Sequence, residues 1–96
     1  MDYELEKSTP MQVPFQQGKS YFFRTVTYHC LGRVDRIVGK FLVLQEASYV
    51  ADTPRFADFL EKGEQSEVEP TGEHILNVDS IVDAFPWNHP LPDKQV

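Results

Sequence analysis

The segment Thr53 to Gly63 (TPRFADFLEKG) has a helix start, an apolar helical face and a helix stop, and stretches that read as strands flank it on both sides. Thr53 suits the N-cap, Pro54 the first helical position and Gly63 the left-handed exit, which predicts a helix over about 54–62. Phe56, Phe59 and Leu60 recur at i, i+3 and i+4, so the helix has one apolar face and must lay it on something. So short a segment is not helical by itself, and packing has to hold it. Strands, one helix, then strands predict a mainly β fold: a small, bent antiparallel barrel with the helix plugging one end.

Around that helix the alternation has period 2. Ser20 to Cys30 (SYFFRTVTYHC) is dense in β-branched and aromatic residues and reads as one strand, apolar on both faces and therefore central or bent. Leu31-Gly32 marks a turn or bulge, Arg33 to Val38 a half-exposed strand, and Gly39-Lys40 a tight turn. Phe41 to Leu44 is a continuous apolar run and the best candidate for the most buried strand. Glu64 to Glu73 (EQSEVEPTGE) is polar and acidic, contains Pro70 and Gly72, and is predicted to be an exposed loop. His74 to Val78 and Ser80 to Phe85 close the fold as two short strands or one strand bent at Asp79. The three prolines after Phe85 exclude regular structure there, and Trp87 is the expected anchor of that tail, since leaving it in solvent forfeits about 2–3 kcal/mol of burial. Residues 1–17, with Pro10 and Pro14, read as an arm, although Met11, Val13 and Phe15 alternate and would suit a short edge strand. The expected organisation is an arm over 1–17, one barrel domain over 18–87 and a tail over 88–96.

Ninety-six residues allow one core, and 41% hydrophobic residues suffice to fill it. A formal charge of −6 opposes a long nucleic acid as partner, because such binding rests on neutralising phosphates with Lys and Arg. The charge is bipolar, with Lys19, Arg24, Arg33, Arg36 and Lys40 in the first half and Asp58, Glu61, Glu64, Glu67, Glu69 and Glu73 later, a distribution that suits self-association or docking. Cys30 is the single cysteine, so no intrachain disulfide forms and a reducing cytoplasm is the expected compartment. The N-terminal MDYELEKSTP carries no apolar run, so neither a signal peptide nor a membrane span is expected.

Reaction chemistry finds little purchase. His29 and Cys30 are adjacent, but neighbours on a strand point to opposite faces and do not serve one site. His74 and His89 add no metal-ligand spacing, the carboxylates from Asp52 onward form neither a calcium loop nor a matched acid/base pair, and no phosphate-cradling glycine motif occurs. No catalytic residue, metal or cofactor is therefore expected. Arginines and tyrosines interleave in the first half, and if there is a ligand site it is the rim formed by Arg24, Tyr28, Arg33, Arg36 and Lys40. Arginine there would grip a phosphate or carboxylate with two hydrogen bonds while Tyr28 stacks or donates.

Gly32-Arg33-Val34 running into Phe41-Leu42-Val43-Leu44, and Ile75-Leu76-Asn77-Val78-Asp79-Ser80-Ile81-Val82 after it, resemble the two motifs of the Sm-like branch of SH3-type small barrels. The resemblance spans about Tyr21 to Phe85 and implies a five-stranded barrel able to assemble into a ring. Apolar residues around Val38 and Leu42 stand where the family has Asp and Asn, Asn77-Val78 stands for its Arg-Gly pair, and the helix interrupts the barrel rather than preceding it. RNA binding is therefore not carried over. The ASYVADTPRF stretch is also similar to short proteins of phages and mobile elements, for which the compartment would be the host cytoplasm. The sequence thus predicts a non-enzymatic binding module, homo-oligomeric, that takes a partner protein or a small anionic ligand. The alternative is a structural component of a phage or other assembly whose Pro-rich ends clamp neighbouring subunits.

Overall fold

The computed structural model describes residues 14–65 and 67–94. Among these the elements run β1 (Ser20–Thr25), β2 (His29–Val38), β3 (Phe41–Asp52), α1 (Phe56–Lys62), β4 (Glu67–Asn77) and β5 (Ile81–Pro86), with a 3-10 turn over Val78–Ser80 before the last strand. The strands pair antiparallel in one sheet of order β4-β3-β2-β1-β5. The protein is mainly β with one short helix, as the patterning predicts. Among the described residues no ladder joins β4 to β5, which form the two edges of the sheet. No helix among them is long and apolar enough to cross a membrane.

Three sequence expectations need correction. The stretch from Ser20 to Cys30 is not one strand but a hairpin, broken by Thr25. The Thr25 Oγ1 accepts from the Tyr28 amide at 3.0 Å and donates to the Tyr28 carbonyl at 2.6 Å, so a threonine side chain closes the turn without the Gly or Asn that usually announces one. The helix starts at Phe56 rather than at 54, because Arg55 is its N-cap, in a non-helical conformation and without a side-chain cap. Thr53 and Pro54 lead into the helix instead of capping it. The expected exit is present, with Gly63 left-handed at φ 73° and its amide bonded to the Phe59 carbonyl. The acidic segment is not a loop throughout: from Glu67 it pairs with β3, burying Val68 and leaving Glu67 and Glu69 exposed. Pro70, with no amide to give, is tolerated there because β4 is an edge strand.

Side chains alternate between two faces and build two cores. On the inner face Phe23, Cys30, Val34, Leu42, Leu44, Ala47 and Leu76 are buried together, with Phe15 and Tyr28 packed at the margin. The Leu31-Gly32 irregularity is a bulge against β3, and a Cβ on Gly32 would stand 3.0 Å from two carbons of Leu44, so any larger residue there would press Leu44 aside. On the outer face Phe22, Leu31, Val50 and Val68 receive Phe59 from the helix and Trp87 from the segment after β5. Trp87 is 3% exposed and acts as the expected anchor. The Leu42-Val43-Leu44 run is buried as expected, whereas Phe41 at its start is 45% exposed. Of the proposed N-terminal edge strand, Met11 and Val13 lie outside the described residues. Phe15 sits edge-on to the rings of Tyr21 and Phe23.

Candidate functional site

The expected basic rim consists of five side chains that the fold sends to separate partners. Arg24 on β1 forks onto Asp83 of β5, with Nε 2.7 Å from Oδ1, and its guanidinium lies over the rings of Phe56 and Phe85 at 5.3 and 5.4 Å. Hydrogen bonding from Arg24 holds the Asp83 carboxyl below its ordinary value, and the same bond raises the arginine. Arg33 meets Glu46, Arg36 meets Asp35, and Lys40, just past the β2–β3 turn, meets Asp79 at 3.1 Å. No two of the four cations share a carboxylate, and each is at least partly neutralised where it stands.

Tyr28 sits away from these pairs, at the edge of the inner core. Its hydroxyl shares a hydrogen bond of 2.9 Å with His74 Nε2, and its ring stacks on Tyr49. Burial lowers the His74 pKa and raises that of Tyr28, so both groups are neutral near pH 7. Cys30 lies beneath them, wholly buried, with its thiol pushed up to about 12 by desolvation. A thiol so protonated is not a nucleophile. His29 turns to the outer face, edge-on to Phe22, and His89 donates from Nε2 to the Leu60 carbonyl at 2.7 Å. Among the described residues no three His, Cys, Asp or Glu side chains converge to hold a metal ion.

An open cleft of about 280 Å³ lies where the chain enters β1 and leaves β5, lined by residues including Gln16, Lys19, Tyr21, Pro86 and Asn88. Lys19 is its one formal charge, and the Tyr21 hydroxyl facing it already accepts from the Gln16 amide. This is sparse equipment for gripping an anion.

The other distinctive surface is apolar, and sequence reasoning missed it. At the turn end of β2 and β3 the outer face carries Val38 opposite Phe41, and Val43 opposite Ile75. Val43 is buried at 4% exposure, but Val38, Phe41 and Ile75 around it stand at 54%, 45% and 59%. Large apolar side chains grouped in this way mark an interaction site more often than scattered ones do. The patch is bordered by the Arg36–Asp35 and Lys40–Asp79 pairs and by Glu73, which accepts from Gln45 Nε2 at 3.1 Å. The signal was present in the alternation of Phe41 and Val43, but a continuous apolar run reads as buried on both faces until the partner strands, with Ile75 on β4, are known. Comparison with protein-family models, with curated proteins and with solved structures found no match.

Proposed function

We propose that this protein is a non-enzymatic binding module that works through protein contact and associates with itself through the bare end of its outer sheet face. The carrying observation is the cluster of Val38, Phe41 and Ile75 over Val43, left uncovered while helix and tail cover the apolar residues at the other end of that face. A second copy or a partner protein suits this surface better than a small anion does. The ion pairs of Arg24, Arg33, Arg36 and Lys40 support that preference, since a ligand anion would have to displace a carboxylate at each. The assembly-component reading draws less support, because Trp87, His89 and Leu91 of the Pro-rich C-terminal segment sit on their own chain rather than reaching outward. Measuring the native mass of the full chain across a concentration series tests the proposal. Association that Phe41→Glu abolishes without loss of β-sheet circular dichroism supports it, and association indifferent to Phe41→Glu overturns it.

A further inference from the structure

We infer that the second copy docks by antiparallel pairing of β4 with its own symmetry mate, about a two-fold axis at Ile75. This deepens the self-association reading and rests on it. Four observations converge on the register.

First, β4 is an edge strand among the described residues, and Ile75 on it is the most exposed member of the apolar patch. An exposed edge carries unspent backbone donors and acceptors, and a two-fold contact places the same strand on both sides. Second, the N-terminal half of β4 is guarded against pairing. Glu67 and Glu69 are exposed, Pro70 has no amide, and the ladder to β3 shifts register between Pro70 and Gly72, which breaks the regular edge there.

Third, the C-terminal half is self-complementary. With Ile75 opposite Ile75, Glu73 falls opposite Asn77, and both share the outer face with Ile75 because side chains alternate. Asn77 spends its side-chain oxygen on the Asp79 amide at 2.9 Å, which turns its NH2 group free to donate. Glu73 takes the Gln45 amide on Oε1, and its second oxygen can accept. The pairing therefore gains one charge-assisted side-chain hydrogen bond on each side of the axis. Fourth, the same register joins the two patches. Ile75 meets Ile75 while each remains opposite its own Val43, so a continuous apolar stripe crosses the junction with Phe41 beside it in each copy. The net charge of −6 does not oppose this, since the border of the patch carries both signs in close pairs.

The experiment is sedimentation equilibrium of the full chain with cysteine cross-linking. The expected mass is twice 11.1 kDa, and Ile75→Glu returns it to one chain. Ile75→Cys is expected to form an intermolecular disulfide under mild oxidation, because Cα atoms directly opposite in an antiparallel pair lie about 4.5–5.5 Å apart, within disulfide range. Glu69→Cys is expected not to, since in this register the two copies of residue 69 are on the order of tens of ångströms apart. Cys30 is buried and does not compete. A dimer that Ile75→Glu or Phe41→Glu dissociates but that Ile75→Cys does not lock overturns the register and leaves the self-association reading standing. A full chain that stays monomeric at the highest attainable concentration overturns both, and a dimer joined through β4 and β5 would be locked by cysteines at positions 75 and 83 together but not at 75 alone, which also overturns the register.

Discussion

The two ends of the outer sheet face are built alike and finished differently. Each presents apolar side chains in cross-strand pairs, Phe22 with Leu31 and Val50 with Val68 at one end, Val38 with Phe41 and Val43 with Ile75 at the other. At the first end the chain supplies its own cover: Phe59 packs edge-on to Phe22 at 4.8 Å, and Trp87 closes over Phe59 at the same distance. At the second end the described chain supplies nothing. Apolar surface that folding buries raises stability, whereas the same surface left in water supplies a driving force for association. The contrast teaches that this small fold spends its one helix and its tail on one end and keeps the other for a partner.

Mutations separate the two ends most sharply where the cover is thickest. Phe59→Ala is expected to cost about 3–5 kcal/mol of unfolding free energy, read by urea denaturation, because it removes a wholly buried ring and leaves a cavity between sheet and tail. Gly63→Ala comes next, at about 1–3 kcal/mol, since the residue must keep a positive φ. Its new Cβ would also stand 2.8 Å from the His89 ring, so the tail should lift and Trp87 fluorescence should shift to the red. If the emission does not move, the tail is not seated through this contact.

A smaller effect concerns pH. The folded His74 pKa lies below its ordinary 6.5, so between the two values the unfolded chain binds more protons than the folded one. Stability should therefore fall as pH drops from about 6.5 toward the folded value, and His74→Gln should flatten that part of the melting-temperature profile. Asp83 acts in the same direction at lower pH, since its depressed pKa gives stability that is present above the unfolded carboxylate value and lost as pH falls through the folded one. The smallest effect is expected at the bare end: Ile75→Ser should change the stability of the single chain by less than about 0.5 kcal/mol while weakening association, and a large loss of stability would show that this end is core rather than interface.

Much of the fold is legible in the sequence because period-2 alternation and the turn glycines are local signals. Gly39 takes φ 59° in the β2–β3 turn, and Gly63 ends the helix in the left-handed region. What escapes is decided by side chains acting on the backbone or by tertiary pairing. The β1–β2 turn escapes because Thr25 and Thr27 look like strand residues, and only the Oγ1 bonds of Thr25 betray the reversal. The start of β4 escapes because a single buried Val68 among glutamates gains its strand character from pairing with Val50. The same limit governs the candidate site. Composition shows that Arg24, Arg33, Arg36 and Lys40 share one half of the chain; Arg36 pairs with its neighbour Asp35, but Asp83 is 59 positions from Arg24 and Asp79 comes from a different element than Lys40, so the neutralisation of these two is invisible until the sheet forms. The bare patch is hidden for the complementary reason: one face of Phe41 to Leu44 fills the inner core, and only the sheet order reveals that nothing covers the other.

The pairing of β1 with β5 also sets a schedule for the nascent chain. Phe22, in the first strand, finds its neighbours Phe85 and Phe59 only after the helix and the last strand exist, and the Trp87 amide closes the sheet on the Ser20 carbonyl at 2.9 Å. Because a chain emerges from the ribosome N-terminal end first, β1 must wait until Pro86 has been made with one edge and one apolar face unsatisfied. The β1 edge of the sheet consequently closes only after β5 has emerged, and a ribosome stalled before residue 86 would display β1 as an open template for aggregation.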